Sequence, residues 1–571
     1  MSIATLDKLG QRRGATVLLE VLRSEGARYI FGNPGTTELP LIDALVDAPD
    51  IGYVLALQEA SAVAMADGYA QAAGRPGVVN LHTAGGLGHG FGNLLNASIT
   101  GTPLVVTAGQ QDSRHTVTDP LLYGDLVSIA TPAVRWAREV SRTDDIPVLV
   151  RRAFHDCQSA PTGPVFLSLP MDVMEQMSTV GIGEVSIIDR SAVAGSLDRL
   201  AEYLAAVPPG KLAIIAGDEI SPSNAASETV LLADALGAPV YGSSWPAHIP
   251  FPTTHPLWMG NLPTKANEIG QKLQAYDAVF VLGGKSLITI LYTEGSAVPA
   301  GLQIFQLSAD PRALGRTYAM KLAVVGDIRA SLRALLPLLA PKIAGSKEAY
   351  AALRKAAERE QQARRRQLET AADAEIEDLV ITPLVAGREI ARALGPKTAI
   401  VDEAPATFGA LRAFLSTVCT PGCTPQYTFS RGGALGWGMP AAVGFSLGID
   451  RAPVVSVVGD GAALYSPQVM WTAAHEKVPV TFVVINNREY NILKKFMRSQ
   501  PHYASLRANR FIAMDLVDPL IDFMALAASM GLPARRIDRA IDIAPALEAA
   551  ISSGVPNLIE IPARDRLARS P

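Results

Sequence analysis

Residues 459–487 carry the pattern that most restricts how this chain can fold. An apolar run ends on Gly459-Asp460-Gly461, and a second apolar run ends on Asn486-Asn487. Residues 466–477 between these runs have a helical pattern, which predicts a β–α–β unit with two parallel strands. The carboxyl ends of parallel strands lie side by side, so we expect Asp460 and Asn487 at one edge of a sheet.

Asp460 and Asn487 would supply hard oxygen ligands of the kind that Mg²⁺ takes from proteins, leaving its other positions to phosphate and water. Gly459 and Gly461 would let the backbone approach a diphosphate, and the following helix start offers free N–H groups to the anion. Each piece alone is also typical of a plain turn or a strand end. Together, at this spacing, they predict a site for Mg²⁺ and a diphosphate.

A chain of 571 residues is too long for one hydrophobic core, which predicts two to four domains. The net charge of −4 and the lack of a basic tract argue against nucleic acid as a partner. Cys157, Cys419 and Cys423 are too few for a disulfide framework and are expected to be thiols. Without a signal-peptide core or an apolar run of about 18 residues, no membrane association is expected and the cytoplasm is the predicted location.

Helical and strand patterns alternate along most of the chain, as is typical of open parallel sheets covered on both faces. We predict an α/β fold with three doubly wound parallel-sheet domains, at 1–183, 190–342 and 381–571. The charged residues 343–380 predict a solvated connector helix, because acids interleave with its arginines. Small molecules and further copies of the chain are the expected partners.

The pattern from Gly-Asp-Gly to Asn-Asn, set in the last of three α/β domains, resembles the signature of thiamine diphosphate-dependent enzymes of the 2-oxo acid decarboxylase and acetolactate synthase group. The resemblance implies thiamine diphosphate and Mg²⁺ as cofactors, with Mg²⁺ held by Asp460, Asn487 and the backbone carbonyl of Glu489. It also implies that the first domain holds the aminopyrimidine and the third the diphosphate, usually from different subunits. The expected assembly is therefore a homodimer at least, with a homotetramer common in the group.

The resemblance also implies a set of further cofactor contacts. They are Asn33, Pro34, Gly35, Ala406, Thr407, Gly433, Leu435, Gly459, Gly461, Ala462, Tyr465, Tyr490, Asn491 and Ile492. Within this set, Leu435 is implied as the apolar wedge under the cofactor and the Gly433 carbonyl as a contact of the pyrimidine amino group. A leucine in an ordinary core is the alternative for Leu435.

Glu59 directly follows a strand pattern and opens a helix pattern. An acid at that place is usually a complement to the helix dipole. The residues from Glu59 to Ala70 match the family's pattern, however, and the resemblance implies that Glu59 hydrogen-bonds the pyrimidine ring and starts removal of the thiazolium C2 proton.

More narrowly, the chain resembles the benzoylformate decarboxylases in several stretches. They are Phe31–Pro40, Leu55–Ala60, Asn80–His82, Val106–Gln111 and Pro250–Pro256. The resemblance implies that His82 is an active-site histidine able to shuttle a proton, although a lone histidine is more often structural. We expect the glycine-rich residues 86–90 to form a turn that presents His82. Thr36 stands where the family has a serine that contacts the substrate carboxylate.

Two further positions depart from the family pattern. Ile290 stands where the second active-site histidine is expected, and Ile492 replaces a small residue. Loss of an acid at position 290 should slow aldehyde formation, by about 10²-fold on general-acid magnitudes. The implied substrate pocket is apolar and comprises Leu121, Leu122, Ile290, Phe429, Ile492, Leu493 and Phe496.

These features predict a decarboxylase that releases CO₂ and an aldehyde from a 2-oxo acid through an enamine intermediate. The alternative is a carboligase, an acyloin lyase or a 2-hydroxyacyl-CoA lyase, which Ile290 favours. Lys285, Arg312 and Arg316 could meet CoA phosphates, although surface charge also explains them. A non-catalytic assembly is disfavoured by the intact Glu59 and Asp460, and nothing in the sequence specifies a flavin.

Overall fold

The computed structural model describes residues 10–395, 398–415 and 427–564. It contains three six-stranded sheets, and every strand pair within them is parallel. The predicted fold of three parallel-sheet α/β domains is therefore confirmed, while the domain boundaries stay predictions. Cys419 and Cys423 lie outside the described residues, and Cys157 is a buried free thiol.

The first sheet has the strand order β3-β2-β4-β5-β7-β6, and a short antiparallel pair joins β1 to β8. The strands are β1 (Arg12–Arg13), β2 (Tyr29–Gly32), β3 (Gly52–Leu55), β4 (Gly77–His82), β5 (Leu104–Gln110), β6 (Ala137–Glu139), β7 (Val165–Pro170) and β8 (Met177–Ser178). The helices are α1 (Gly14–Ser24), α2 (Leu39–Ala44), α3 (Glu59–Ala73), α4 (Thr83–Thr100), α5 (Leu126–Ala130), α6 (Ile146–Gln158) and α7 (Met171–Glu175).

Helix α4 corrects one expectation. Residues 86–90 were expected to form a turn, but α4 begins at Thr83 and contains them. Gly86 and Gly90 allow α4 to pack closely against α3: a Cβ on Gly86 would lie 3.2 Å from Glu59 Oε1, and one on Gly90 would lie 3.0 Å from Val63 Cγ2. The low helix propensity of glycine is therefore outweighed by tertiary contact between α4 and α3.

The second sheet has the order β11-β10-β9-β12-β13-β14. Its strands are β9 (Leu212–Ala216), β10 (Val240–Gly242), β11 (Trp258–Asn261), β12 (Ala278–Leu282), β13 (Gln303–Ser308) and β14 (Leu322–Val325). Its helices are α8 (Leu197–Ala206), α9 (Ala226–Leu236), α10 (Ala266–Leu273) and α11 (Ile328–Lys342). The two edge strands, β11 and β14, have four residues each and are only partly buried, as is usual for strands at the edge of a sheet.

The connector helix is α12 (Lys347–Asp373). Most of its side chains reach solvent, but Tyr350 and Ala372 are buried. Near its end, Asp373 pairs with the guanidinium of Arg388, a nearly fully buried residue of the next domain. The helix is therefore anchored at both ends, which a purely solvated helix would not be.

The third sheet has the order β16-β15-β17-β18-β20-β19. Its strands are β15 (Ala399–Glu403), β16 (Tyr427–Phe429), β17 (Val454–Gly459), β18 (Val480–Ile485), β19 (Ala534–Arg536) and β20 (Asn557–Ile561). Its helices are α13 (Pro383–Ala393), α14 (Phe408–Phe414), α15 (Gly438–Gly448), α16 (Asp460–Ala463), α17 (Val469–Glu476), α18 (Asn491–Arg498), α19 (Ala504–Ala508), α20 (Phe523–Ser529) and α21 (Ile543–Ser552).

Helix α15 joins the third domain to the first by packing against α3. A Cβ on Gly68 would lie 2.0 Å from Ala441 O, and one on Gly444 would lie 1.8 Å from Met65 O. Only glycine allows the two backbones to approach this closely. Within the described ranges, no helix has the length and apolar content needed to cross a membrane.

Candidate active site

The edge of the third sheet brings the predicted diphosphate residues together. Asp460 begins α16 directly after β17, and Asn487 follows β18, whose Ile485 is in register with Gly459. Asp460 Oδ2 accepts a hydrogen bond from Arg488 N at 2.6 Å, and Asn487 Oδ1 accepts one from Glu489 N at 3.0 Å. The residues after β17 and those after β18 are thus directly bonded.

Burial raises the pKa of Asp460 to about 6, even though the N–H groups of Arg488 and Gly461 stabilise its carboxylate. The nearby charge of Glu489 adds to the shift. A buried carboxylate that lacks a countercharge fits a divalent cation. The Glu489 carboxylate is bound to Lys494 Nζ at 2.5 Å, so the Glu489 backbone carbonyl fits a metal better than its side chain does.

Among residues 10–395, 398–415 and 427–564, no three His, Cys, Asp or Glu side chains gather as metal ligands. A metal at this edge would therefore take amide, carbonyl and ligand oxygens besides Asp460. Gly461 is tightly enclosed: a Cβ there would lie 2.6 Å from Tyr490 Cε1. Ala462 lies in α16 and Tyr465 just after it, while Asn491 and Ile492 begin α18.

The loop Arg431–Trp437 carries Gly433 and Leu435. Gly433 and Gly436 have φ of +83° and +85°, a region that favours glycine. Asn96 of α4 fixes the part of the loop that lies between these two glycines. Its Oδ1 accepts a hydrogen bond from Ala434 N at 3.0 Å, and its Nδ2 donates one to Ala434 O at 2.8 Å. Leu435 remains partly exposed, free to meet a ligand.

Both ends of this loop are fixed by other domains. Arg431 Nη1 lies 2.6 Å from Asp218 Oδ2 in the middle domain. Burial alone would raise the pKa of Asp218, but the Arg431 guanidinium, His248 and the Ala247 N–H together outweigh burial and hold the pKa at about 2. At the other end, Trp437 Nε1 donates to Asp67 Oδ2 of α3 at 2.8 Å. All three domains thus position Leu435.

Glu403 is a buried acid that sequence reasoning missed. Its carboxylate ends β15 and accepts hydrogen bonds from Trp437 N at 3.2 Å and Gly438 N at 2.8 Å. Burial raises the pKa of Glu403 to about 8. The available signal was an acid at the end of an apolar strand pattern, just before Ala406 and the buried Thr407.

At the edge of the first sheet, Glu59 begins α3 and is almost buried. Its Oε2 lies 3.1 Å from His89 Nδ1, and its Oε1 lies 3.5 Å from Asn33 Nδ2. The neighbouring Gly86 leaves room for the carboxylate. Of these contacts, Asn33 was expected near the cofactor, whereas His89 was not singled out.

His82 ends β4 and is held by Glu38, a second acid that sequence reasoning missed. His82 Nδ1 lies 2.8 Å from Glu38 Oε2, and Gly35 N and Gly109 N also donate to this carboxylate at 2.9 Å. With so many donors the carboxylate is the acceptor, so Nδ1 carries a proton and Nε2 is left to exchange one.

The residues around His82 are closely fitted. A Cβ on Gly35 would lie 2.3 Å from His82 Nδ1, which excludes larger residues there. Thr37 Oγ1 lies 3.1 Å from the same nitrogen. Thr36 and Pro34 are exposed at this edge, so Thr36 keeps a hydroxyl toward solvent while the adjacent Thr37 supports the histidine.

The predicted pocket residues lie on four separate segments. Leu121 and Leu122 are exposed after β5, and Ile290 is exposed in the middle domain, where its N–H donates to Thr264 O at 3.0 Å. Ile492, Leu493 and Phe496 lie on α18. Phe429 is buried, with its ring 5.1 Å from Trp245 and 5.4 Å from Phe408. The pocket role of all these residues stays a prediction.

Family models for thiamine pyrophosphate enzymes match the chain in three parts. Residues 12–127 match the N-terminal TPP binding domain, residues 197–335 the central domain, and residues 387–561 the C-terminal TPP binding domain. Each part contains most of one of the three sheets.

Individual relatives match over nearly the whole length. The chain is 33% identical over 552 residues to benzoylformate decarboxylase of Pseudomonas aeruginosa, covering 95% of this chain and 97% of the relative. It is 25% identical over 528 residues to the acetolactate synthase isozyme 3 large subunit of Escherichia coli, covering 91% and 88%. The thiamine diphosphate-dependent 4-hydroxybenzoylformate decarboxylase of Rhodococcus jostii superposes with a TM-score of 0.84 at 27% identity, covering 97% and 99%.

Proposed function

Because this chain belongs to the family of thiamine pyrophosphate enzymes, we propose that it removes CO₂ from a 2-oxo acid and releases an aldehyde. The chain is an enzyme that breaks or makes carbon–carbon bonds with thiamine diphosphate. The observation that carries the decarboxylase proposal is the pair of functional groups at one edge of the first sheet: the carboxylate of Glu59, and His82 with its Nδ1 fixed by Glu38.

We assign Mg²⁺ to Asp460, Asn487 and the carbonyl of Glu489. The buried, uncompensated carboxylate and the two uncharged oxygens are the donors that this cation prefers. Bound thiamine diphosphate supplies a carbon nucleophile and a sink for the electron pair left when CO₂ departs. Leu435 and the Gly433 carbonyl would fix the bent shape and the pyrimidine end of the cofactor.

The chain's own residues bind the substrate and move protons. Glu59 holds a proton at the pyrimidine ring, and His82 exchanges one through Nε2 beside the substrate. Thr36 offers a hydroxyl to the substrate carboxylate. The apolar side chains of α18, with Leu121 and Leu122, exclude water from that carboxylate and so favour loss of CO₂.

We place the active site between two copies of the chain, so the assembly is a homodimer at least and a homotetramer in its expected form. Large apolar side chains are exposed just after the strands on the edges that carry Glu59 and Asp460. They are Leu39, Leu57, Leu121, Leu464, Tyr465 and Leu493. Exposed apolar surface of this kind is typical of interaction surfaces, which supports a partner chain at these edges. We also propose that the protein is located in the cytoplasm. The proposed domains span residues 1–183, 190–342 and 381–571, and residues 343–380 connect the second domain to the third.

Ile290 favours a second candidate function, the joining of two carbonyl compounds. An isoleucine cannot donate a proton, so if its position faces the site, the intermediate left after CO₂ departs would last longer. A second carbonyl compound could then capture it, as in a carboligase. Carbon–carbon cleavage by an acyloin or 2-hydroxyacyl-CoA lyase is the reverse of the same chemistry.

A substrate panel separates these functions. We expect the protein with thiamine diphosphate and Mg²⁺ to release CO₂ from aliphatic or aromatic 2-oxo acids and to yield the matching aldehyde. Acceptor aldehydes should divert part of the product into 2-hydroxy ketones. CO₂ release and product chromatography measure both outcomes. Condensation or cleavage products without any free aldehyde would contradict the decarboxylase proposal, and fast turnover of benzoylformate would contradict the expected cost of Ile290.

Glu38→Gln should lower kcat for the best substrate of that panel by roughly 10–10²-fold, the usual cost of removing a group that orients an active-site histidine. Glutamine has one acceptor oxygen and one NH₂ group, so its NH₂ would face either Gly109 N or the pair Gly35 N and His82 Nδ1, and the ring loses its fixed protonation and orientation. Steady-state kinetics and cofactor titration measure the effect, and cofactor affinity should stay within about threefold. The control is Glu139→Gln, because the Glu139 carboxylate accepts a hydrogen bond from Ser168 in the same domain but lies outside the proposed site. An unchanged kcat in Glu38→Gln would exclude this role.

A further inference from the structure

Helix α4 carries a second histidine that the proposed chemistry does not use. His82 directly precedes α4 and His89 lies within it, and a Cβ on Gly86 would lie 3.5 Å from His82 Cβ, so Gly86 lies beside the first histidine and one turn before the second. Glu59 faces Gly86, because a Cβ on Gly86 would lie 3.2 Å from Glu59 Oε1. Two imidazoles therefore flank the glutamate that the proposed function places at the cofactor.

His89 contacts Glu59 directly. Its Nδ1 lies 3.1 Å from Glu59 Oε2. The Glu59 side chain is only 11% exposed, whereas the His89 side chain is 66% exposed. The ring therefore connects a nearly buried carboxyl group to solvent, with Nε2 on the side of the ring away from Nδ1.

The other groups near Glu59 are poorly suited to exchange its proton. The Asn33 amide, at 3.5 Å, carries no titratable proton, and His82 is held by Glu38. Burial raises the pKa of Tyr53, and the charges of Glu38 and Glu59 raise it further, so this phenol stays neutral. An imidazole is the side chain that gains and loses a proton most easily near neutral pH.

We propose that His89 exchanges a proton with Glu59 and so resets its protonation state during each turnover. The O–H bond of the Glu59 carboxyl group breaks as an N–H bond forms at His89 Nδ1, and the imidazolium then releases its other proton from Nε2 to water. The reverse path returns a proton to Glu59. His89 is thus a positioning residue that acts through Glu59. It adds a second imidazole to the site in a chain that has Ile290 where the family's second active-site histidine is expected. The inference rests on the proposed function.

The test follows exchange of the C2 proton of bound thiamine diphosphate for deuterium, by acid quench and NMR, without any substrate. His89→Asn keeps a hydrogen-bond donor but cannot carry a proton, and His89→Ala removes both properties. We expect exchange to slow by about 10²-fold in each variant, while cofactor affinity stays within about threefold. Because His89 is exposed, free imidazole should restore at least about tenfold of the lost rate in His89→Ala.

Two further variants make the outcome decisive. His155→Asn breaks another histidine–carboxylate pair of the same domain, with Asp156, and should leave exchange unchanged. Glu59→Gln should slow exchange at least as much as the His89 variants. The role of His89 would be overturned if exchange in His89→Asn stayed within about threefold of wild type, or if imidazole did not rescue a slow His89→Ala. Either result would leave the proposed function standing. A wild-type protein that binds no cofactor, or does not accelerate exchange, would overturn the proposed function and this inference with it.

Discussion

Glu59→Gln is expected to lower kcat for 2-oxo acid decarboxylation by about 10²–10⁴-fold, the range that a positioned acid–base group contributes. The carboxyl group of Glu59 lies almost buried at the start of α3, where only a group that gains and loses a proton can assist the pyrimidine ring. Glutamine has nearly the same shape and can still meet Asn33 and His89, so the fold and the cofactor site should persist.

Steady-state kinetics and a thiamine diphosphate titration of Glu59→Gln distinguish loss of chemistry from loss of binding. Cofactor affinity should change by less than about fivefold while kcat falls. Glu20→Gln is the matched control, because Glu20 pairs with Arg12 at 3.0 Å in the same domain. A kcat within a few-fold of wild type would remove Glu59 from proton transfer.

Asp460→Ala is expected to lower the affinity for thiamine diphosphate with Mg²⁺ by at least about 10²-fold, since loss of a group that merely supports a metal ligand already costs 10–10²-fold. The carboxylate is the only charged donor of the proposed metal set, and its oxygens also accept from Arg488 N and Gly461 N. Its loss therefore removes both the ligand and a support of the loop that carries Asn487.

Asp460→Asn separates these two effects, because the amide oxygen can still accept an N–H bond but carries no charge. We expect it to fold as wild type by thermal unfolding and still to bind the cofactor weakly. Asp538→Ala is the control, an exposed acid that pairs with Arg536 in the same domain. Unchanged cofactor retention in Asp460→Ala would exclude Asp460 as the metal ligand.

The strongly patterned parts of this chain could be predicted because local and tertiary signals agree there. Helix α3 begins at Glu59, shortly after strand β3, as the pattern there indicates. The β–α–β unit that holds Asp460 and Asn487 also follows from two buried apolar strands and the glycines between them. The segments that carry those two residues meet because parallel strands end side by side, and Arg488 N, next to Asn487, donates to Asp460 Oδ2.

Other features depend on contacts that the local pattern does not contain. Glycines in α4 argue for a turn, yet a helix forms there, and α3 packs into the space that the missing side chains of Gly86 and Gly90 leave. The roles of Glu38, His89 and Glu403 arise only when separate segments approach: Glu38 meets His82, His89 meets Glu59, and Glu403 meets the backbone of Trp437. An acid beside a strand end was visible in each case, but its partner was not.

Mixing two inactive variants tests most directly the central claim that Glu59 and Asp460 act on one cofactor molecule from two chains. In a dimer of Glu59→Gln with Asp460→Ala, one of the two sites would contain both intact residues. Unfolding and refolding the variants together at equal amounts should therefore restore about a quarter of wild-type decarboxylase activity, because half of the dimers are mixed and each has one intact site. A mixture that stays as inactive as the separate variants, although mixed dimers form, would contradict the claim.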